Sequence, residues 1–275
     1  MLDAYALMLY SIVDERNNSL HRRTMLPAKL WRARGKPSIQ YLGRYELIMT
    51  ELIAVFDLEG TLCYRGGGLL WREVVKSRFR RGSGIRKIII HVLGQIILAL
   101  LYQTRLISNY QARVVGTRKM AALFQGVTEE DLNQLAKLIS IKLVERLRPE
   151  IYRMVQEHKR QNRRLVLVSG TFQPILEVIG QQFGFQLILG TKLEKKDDCY
   201  TGQLSSPICF YEQKSSMLNE LIKETHLEVD FSQSYAYGDT MSDRFMLEMV
   251  GNPVAAFPDA ELRAYAQEHG WKIIG

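Results

Sequence analysis

Apolar residues occur in two kinds of block along most of the chain, and these blocks predict strands and helices in alternation. Short continuous apolar runs predict strands near residues 52–57, 165–169, 185–189, 234–238, 253–257 and 271–274. Apolar residues at helical spacing predict helices near residues 173–183, 212–225, 242–250 and 259–268. Strands that alternate with helices are typical of a parallel sheet covered by helices on both faces. The predicted fold class is therefore α/β.

A long stretch between the first two predicted strands, residues 62–165, has helical spacing throughout. Within it, Thr128 precedes three acidic residues, which is typical of a helix N-terminus. Pro149 predicts the first turn of the next helix, because proline lacks an N–H that this turn leaves unpaired anyway. Further along, residues 193–203 indicate a hairpin.

The first 49 residues differ from the rest. Residues 4–13 are apolar, but Asp3 precedes them and neither a basic segment nor a small-residue cleavage site indicates a signal peptide. Residues 22–36 are basic and are interrupted by proline and glycine. We predict that residues 1–49 form an N-terminal extension that need not be ordered. Alternatively, these residues result from a start site that was assigned too far upstream. Residues 1–48 are expected to be dispensable for catalysis.

Acidic residues follow two of the predicted strands. Asp57 and Glu59 lie two residues apart at the end of the first strand, so their side chains point to the same face. Asp239 and Asp243 follow the strand near residues 234–238. The carboxyl edge of a parallel sheet is where α/β proteins bind ligands. Each acidic pair could instead cap the helix that follows it.

Two further polar features lie between the acidic pairs. The apolar run at residues 165–168 ends in Ser169 and Gly170, and Lys214 begins a helical pattern. Taken singly, Ser169 could be a plain cap of its strand and Lys214 a surface lysine. An acidic pair, a Ser-Gly pair, a lysine and a second acidic pair in this order, each at the end of a predicted element, indicate one shared site.

This order of motifs resembles the haloacid dehalogenase superfamily of phosphatases and phosphotransferases, in the branch that contains phosphoserine phosphatase (subfamily IB). The resemblance extends from about residue 50 to the end of the chain. It implies a Rossmann-like core made of residues 50–61 and 166–275. It also implies that residues 62–165 form an all-helical cap, inserted over the active site, and the helix that returns to the core.

The resemblance also implies a role for each motif residue. Asp57 would be the nucleophile that attacks phosphorus, and Glu59 the general acid and base. The phosphoryl oxygens would be held by Lys214, the Ser169 hydroxyl and the backbone N–H groups near Leu58 and Gly170. Most of the superfamily carries Asp where this chain has Glu59. The longer side chain of Glu59 lowers the expected turnover. Catalysis is not excluded, because the enolase-phosphatase of methionine salvage and some phosphoserine phosphatase relatives also carry Glu at this position.

Several carboxylates that face a phosphate require a cation, and oxygen ligands suit Mg²⁺. The predicted ligands are the carboxylates of Asp57 and Asp239 and the main-chain carbonyl of Glu59. Asp243 is expected to act through a water molecule or behind the direct ligands. Alternatively, Asp243 is only an acid that favours a helix N-terminus.

Charge is distributed unevenly over a chain with a formal net charge of +8. Residues 62–165 carry 21 Lys and Arg against 7 Asp and Glu, a surplus of 14, whereas residues 50–61 and 166–275 carry 8 against 18. A basic insertion suggests anionic partners, namely a phosphorylated substrate or a membrane surface, or else only a solvated helical surface. Nucleic acid is not expected, because no aromatic residues interleave with a basic stripe.

The predicted substrate is a phosphoserine-like or other small phosphate ester. Glu73 is the single acidic residue between residues 62 and 125, so the ammonium of phosphoserine would find little in this segment to pair with. A lipid-phosphate phosphatase of the phosphatidylglycerophosphate type, working at a membrane surface, is one alternative. A phosphotransferase and a weakly catalytic phospho-ligand binding protein are the others. The sequence does not indicate an oligomeric state.

Residues 88–104 contain no Asp, Glu, Lys or Arg. This stretch of 17 residues is short for a membrane span. Either it packs inside the insertion, or it lies at a membrane interface beside the basic residues Arg78, Arg80, Arg81, Arg86 and Lys87. The three cysteines lack metal-site spacing and predict reduced thiols in a cytoplasmic protein, with Cys63 as an apolar filler. His158 and His226 are expected at the surface.

Overall fold

The computed structural model describes residues 39–42, 46–65, 69–80 and 85–275. Their largest sheet has six strands in the order β10-β9-β8-β3-β4-β5, and every neighbouring pair in it is parallel. Its strands, in chain order, are β3 (Ile53–Phe56), β4 (Arg164–Phe172), β5 (Leu187–Thr191), β8 (Tyr235–Gly238), β9 (Asn252–Ala256) and β10 (Lys272–Ile274). The predicted α/β class is confirmed.

Strands β3 and β4 each contribute side chains to both faces of the sheet. In β3, Ala54 and Phe56 belong to one apolar cluster, whereas Ile53 and Val55 belong to another. Both faces are therefore buried, which is why these strands read as continuous apolar runs instead of alternating ones. Helices α6 (Gln173–Phe183), α7 (Glu212–Glu224), α8 (Arg244–Leu247) and α9 (Ala260–Glu268) follow the strands, close to the predicted positions.

The described residues between β3 and β4 form five helices. They are α1 (Leu69–Arg80), α2 (Ile85–Gln103), α3 (Asn109–Ala122), α4 (Glu129–Val144) and α5 (Pro149–Arg160). Thr128 caps α4 as expected, because its side chain accepts a hydrogen bond from the Asp131 N–H at 3.2 Å. Pro149 opens α5. We refer to residues 62–163, which contain these helices, as the helical insertion.

Two short antiparallel pairs stand apart from the main sheet. Strands β6 (Leu193–Lys196) and β7 (Cys199–Leu204) form the predicted hairpin. Strands β1 (Ile39–Leu42) and β2 (Glu46–Met49) pair with each other near the start of the described chain. The prediction that residues 1–48 are dispensable falls largely outside the described residues and stays a prediction.

Two elements near the candidate site depart from the sequence-based expectation. Strand β4 does not end at Ser169 but continues to Phe172, with an irregular register between Val168 and Phe172. The helix expected over residues 242–250 is a 3₁₀ turn, Met241–Asp243, followed by the short α8. In both places, backbone near the candidate site departs from regular geometry, which apolar periodicity does not report.

The surface position expected for His158 is wrong, whereas His226 is exposed as expected. His158 is buried, its Nε2 lies 2.8 Å from the Tyr237 hydroxyl, and its ring packs 4.7 Å from the ring of Tyr235. Because His158 lies in a basic helix end beside Lys159 and Arg160, the local sequence resembled a solvated terminus. Burial lowers the pKa of His158 to about 4.

This buried histidine should make folding stability depend on pH. The folded protein keeps His158 neutral down to about pH 4, whereas an unfolded histidine binds a proton below about pH 6.5. Stability should therefore be lost as pH falls from about 6.5 to about 4. In chemical denaturation, the wild type should lose roughly 2 kcal/mol more than His158→Gln between pH 7 and pH 4.5.

His226→Gln is the matched control for this measurement, because the same change is made at an exposed histidine. It should leave the pH dependence of the wild type unchanged. Parallel pH profiles for the wild type and His158→Gln would show that the buried imidazole is not the cause.

Helix α2 packs with its polar side inward. His91 is buried and its Nδ1 lies 3.1 Å from the carbonyl of Lys119 in α3, while Leu98 is buried on the same side. Six other large aliphatic side chains of α2, among them Leu93 and Ile97, lie on the opposite side and are about half exposed. The packing explanation for the charge-free stretch therefore does not hold for these side chains. Within the described ranges, α2 and the other helices fall short of the length and apolarity that a membrane crossing requires.

Candidate active site

The order of the strands creates a crevice beside β3. From β3 the chain proceeds outward through β4 and β5, and it then returns to the other side of β3 to build β8, β9 and β10. The loops that leave β3 and β8 therefore diverge between neighbouring strands. In α/β proteins this switch point is where ligands bind. Asp57 directly follows β3, and Asp239 directly follows β8.

Three carboxylates from two distant parts of the chain meet in this crevice. Asp57, Asp239 and Asp243 each offer an oxygen atom, and these atoms lie within 4.8 Å of one another. All three residues are buried. Lys214, at the start of α7, donates to Asp57 Oδ1 and to Asp243 Oδ1, both at 2.5 Å. The residues predicted from the motifs at the two strand ends and at Lys214 are thus brought together.

Asp243 organises the loop after β8. Its Oδ2 accepts hydrogen bonds from the N–H groups of Asp239 and Thr240, both at 3.1 Å. These are the contacts of an acid at the start of a helical turn. Its other oxygen binds Lys214. Asp243 therefore makes the contacts of an acid at a helix N-terminus, which was one prediction for it. It also lies in the carboxylate cluster, as the predicted role near a metal ion requires.

Gly60 allows the two strand-end loops to approach each other. Its φ is +97°, a conformation that strongly favours glycine, and a Cβ built there would lie 1.9 Å from Asp239 Oδ2. Arg65 comes shortly after this turn, and its Nε and Nη2 donate to the same Asp239 oxygen at 2.9 and 2.7 Å. Arg65 is still largely exposed, so it reaches into the site from the solvent side.

A cavity of about 570 Å³ opens over the cluster. Glu59 lines this cavity and keeps a surface open to it. The Glu59 side chain is exposed to the cavity, but the protein packed around its carboxyl removes water from it and thereby raises the pKa of Glu59; Arg113, Arg146 and Arg65 oppose this rise. The helical insertion contributes Arg65, Gln95, Arg113, Gly116, Thr117 and Met120 to the cavity wall.

The remaining predicted residues lie around the same cavity or just behind it. Ser169 and Gly170 line it. The Ser169 hydroxyl accepts from the Thr171 N–H and donates to Thr171 Oγ1, both at 3.2 Å, so it is engaged locally. A Cβ on Gly170 would lie 1.8 Å from the Phe210 ring, so a side chain at this position would have to displace that ring. The side chain of Leu58 is buried in the core, so Leu58 can contribute only through its main chain.

The cluster carries more negative charge than its cations balance. Burial, Asp243 and Asp239 raise the pKa of Asp57 to about 8, although Lys214 acts against this rise. Burial and Asp243 raise the pKa of Asp239 to about 6, opposed by Arg65. Burial would lower the pKa of Lys214, but Asp243 and Asp57 raise it above its ordinary value. Burial thus favours a proton on Asp57, whereas the 2.5 Å contact with Lys214 favours its carboxylate; we regard the contact as decisive.

These residues fit a Mg²⁺ site. Three carboxylates within 4.8 Å provide the oxygen ligands that this ion prefers. A divalent cation would also offset the charge that one lysine and one arginine leave unbalanced. The side chain of Glu59 is not part of the carboxylate cluster, which is compatible with the predicted use of its main-chain carbonyl.

Neither of the cysteines near the site is suited to nucleophilic chemistry. Cys63 and Cys209 are buried free thiols, and burial raises the pKa of each to about 12. A thiol with such a pKa carries almost no thiolate near neutral pH. The expectation that Cys63 fills apolar space therefore agrees with its position.

Sequence reasoning missed Arg65 and Arg113 as cavity residues. Arg113 is held by Asn109 Oδ1, which accepts from its Nε at 3.0 Å, and its guanidinium lies 5.5 Å from the centre of the Phe210 ring. Each arginine is one of many in a basic segment, and the chain carries no local signal that distinguishes it. Only the folded arrangement shows which basic residues face the carboxylates.

Comparisons with known proteins agree with this geometry. The haloacid dehalogenase-like hydrolase family matches residues 54–248. Phosphoserine phosphatase SerB1 of Mycobacterium tuberculosis is 27% identical over 223 residues, which cover 80% of this chain and 69% of SerB1. A histidinol-phosphatase of Neisseria meningitidis is 32% identical over 123 residues, covering 44% of this chain and 55% of that protein. A Bordetella pertussis structure of unknown function aligns with a TM-score of 0.69 at 26% identity, covering 82% and 99% of the two chains.

These matches confirm the superfamily read from the motifs and its likeness to phosphoserine phosphatases. They also confirm the prediction of an enzyme within this group of hydrolases. The family match extends from β3 to α8 and thus includes every residue of the carboxylate cluster.

Proposed function

Because this chain belongs to the haloacid dehalogenase-like hydrolase family, we propose that it is a Mg²⁺-dependent phosphatase that hydrolyses phosphate monoesters through Asp57. One observation carries the proposal. Asp57, Asp239 and Asp243 meet at the carboxyl edge of the sheet, where Lys214 contacts Asp57 and Asp243, beneath a cavity large enough for a small ester.

In the first proposed step, Asp57 attacks the phosphorus with the oxygen that does not accept from Lys214. The bond between phosphorus and the leaving oxygen breaks, and an aspartyl-phosphate forms. Glu59 gives its proton to the departing alkoxide. Its raised pKa favours the protonated form that this task requires.

In the second step, the Glu59 carboxylate accepts a proton from water. The resulting hydroxide attacks phosphorus, the bond to Asp57 breaks, and inorganic phosphate leaves. Lys214, the Ser169 hydroxyl and the main chain near Leu58 and Gly170 are proposed to hold the phosphoryl oxygens. Ser169 would have to exchange a contact with Thr171 for this purpose.

Mg²⁺ would be held by the carboxylates of Asp57 and Asp239 and by the Glu59 carbonyl, and it would offset the charges of phosphate and carboxylates. Asp243 is proposed to act behind these ligands. Its contacts with Lys214 and with the N–H of Asp239 fix the position of both residues.

The cavity wall favours a leaving alcohol without an ammonium group. Among the described residues of the insertion, Arg65 and Arg113 line this wall and no carboxylate does. Glu73 is buried elsewhere in the insertion and pairs with Lys142 at 2.8 Å and with Lys76 at 3.5 Å. We therefore propose a small phosphate ester whose alcohol carries hydroxyl or acidic groups, and we place phosphoserine second. A phosphate ester carried on a lipid is a further candidate, favoured by the exposed apolar side of α2.

Glu59→Gln tests the proposed acid and base. Hydrolysis of an alkyl phosphate with Mg²⁺ should fall by about 10²- to 10⁴-fold, because neither proton transfer has a partner. An aryl phosphate with an acidic leaving group needs little protonation, so its first step should be less affected. Phosphoryl-enzyme should then accumulate, and the mass of the peptide that contains Asp57 should reveal it.

Glu220→Gln provides the same chemical change at an exposed position of α7 and should behave as the wild type. A wild type that hydrolyses no ester of a broad panel with Mg²⁺ would favour a phospho-ligand binding protein over an enzyme. Transfer of phosphate to an added alcohol in place of water would identify a phosphotransferase. If chelation of metal left turnover unchanged, the proposed role of Mg²⁺ would be wrong.

A further inference from the structure

The outer side of α2 is an apolar surface that the described residues leave uncovered. It consists of Ile89, Ile90, Leu93, Ile96, Ile97 and Leu100, each between 52 and 57% exposed. At 100° per residue, these six side chains occupy an arc of about 120° on the helix. Exposed apolar patches of this kind mark interaction surfaces.

The packing of α2 fixes the direction of this surface. His91 and Leu98 are buried on the opposite side, where His91 contacts the Lys119 carbonyl and Leu98 lies beside Gly116 of α3. Gln95, on the same inner side, lines the active-site cavity. A rotation that hid the aliphatic residues would expose these inner contacts, so the apolar side faces outward as part of the folded arrangement.

We propose that this apolar side of α2 docks the protein on an anionic membrane surface. The helix would lie in the membrane interface with its aliphatic side chains among the lipids. It is not long and apolar enough to cross the membrane. No Asp, Glu, Lys or Arg occurs in residues 88–104, so docking would bury no charge of this stretch.

Charge favours an anionic lipid surface over two other possible occupants of the apolar side of α2, a second copy of the chain and its own residues 1–49. The segment 62–165 has a surplus of 14 positive charges, which an anionic lipid surface complements. A second copy docked face to face would bring two such segments together. Residues 1–49 of the same chain carry 8 Lys and Arg against 4 Asp and Glu, so they are basic as well. Both alternatives therefore place positive charges next to positive charges, whereas docking on anionic lipid does not.

Docking does not depend on the proposed phosphatase activity. Because Gln95 and the apolar side chains lie on opposite sides of α2, the cavity would remain on the protein side of a docked helix. A soluble ester could reach it directly, and a lipid-borne phosphate only around the edge of α2. The surface thus sets the location of the enzyme whichever ester it hydrolyses.

Flotation of the full chain with vesicles tests the proposal. The wild type should float with vesicles that contain phosphatidylglycerol, at least 10-fold less with pure phosphatidylcholine, and less in high salt. Leu93→Gln with Ile97→Gln should reduce flotation on the anionic vesicles by at least 10-fold. Both side chains are already half exposed, so the fold should be retained.

Ile141→Gln is the matched control, because Ile141 is an exposed isoleucine of another helix of the insertion, α4. It should float like the wild type, and equal losses in both variants would overturn the assignment to α2. The absence of wild-type flotation on anionic vesicles would overturn the docking itself.

Two further measurements test whether a second copy of the chain or residues 1–49 cover this surface instead. A wild-type dimer that Leu93→Gln with Ile97→Gln dissociates, measured by light scattering without vesicles, would instead make this surface a self-interface. A cysteine introduced by Leu93→Cys should be labelled rapidly by a maleimide without vesicles and slowly with them. Slow labelling without vesicles in a monomer would mean that the chain covers the surface itself.

Turnover of a soluble aryl phosphate should be unchanged in Leu93→Gln with Ile97→Gln, so a docking failure is distinguishable from a failure of the proposed activity.

Discussion

Asp57→Asn should reduce phosphatase turnover by on the order of 10⁴-fold or more, because the amide cannot form the aspartyl-phosphate. The folded protein should keep most of the stability of the wild type. Lys214 loses the Asp57 carboxylate but keeps its contact with Asp243, and the cost of burying the Asp57 charge beside Asp243 and Asp239, which raises the pKa of Asp57, is removed. Turnover assays and thermal unfolding without Mg²⁺ measure the two effects separately.

Asp197→Asn serves as the control for this change. Asp197 is exposed in the turn of the β6–β7 hairpin with a φ of +54°, a conformation that asparagine also adopts. Its turnover and stability should equal those of the wild type. If Asp57→Asn kept a tenth or more of wild-type turnover, the nucleophile would have to be another group.

Lys214→Met should damage both stability and catalysis. Lys214 is almost wholly buried, and its loss leaves Asp57 and Asp243 without the cation that contacts them. Removal of one partner from a buried ion pair costs about 3 to 5 kcal/mol. Turnover should fall by on the order of 10²- to 10³-fold, because one positive contact to the phosphoryl group is also lost.

Mg²⁺ offers a way to separate these two consequences of Lys214→Met. A divalent cation among the carboxylates should restore part of the lost stability, measured as a rise in unfolding temperature, but not the contact to the phosphoryl group. Lys223→Met makes the same change at an exposed position of α7 and should alter neither quantity by much. A Lys214→Met protein with wild-type turnover and stability would show that the buried lysine contributes to neither.

Apolar periodicity was sufficient to predict the main sheet and the helices that cover it. The signal is strong because β3 and β4 are buried on both faces, so four or more consecutive positions must be apolar. Irregular backbone was predicted less well. The extension of β4 to Phe172 and the 3₁₀ turn Met241–Asp243 have no periodic signature, because hydrogen bonds of individual loop residues determine them.

Histidine and arginine residues show a different limit. His158 was expected at the surface because its neighbours in sequence are basic, but its partners, Tyr235 and Tyr237, come from strand β8. Arg65 and Arg113 could not be distinguished from the other basic residues of the insertion. In each case the decisive contact joins residues that are distant along the chain, and no local pattern encodes such a pairing.

The sequence by itself determined the α/β class, the helical segment between β3 and β4, and the identity of the motif residues, because strand-end acids and apolar runs are local features. Only the tertiary structure decided which charges meet: Lys214 with Asp57 and Asp243, and Arg65 with Asp239. It also decided that α2 turns its polar side inward and its aliphatic side outward. Sequence periodicity shows that a helix has two unlike sides, but the contacts of its neighbours determine which side is buried.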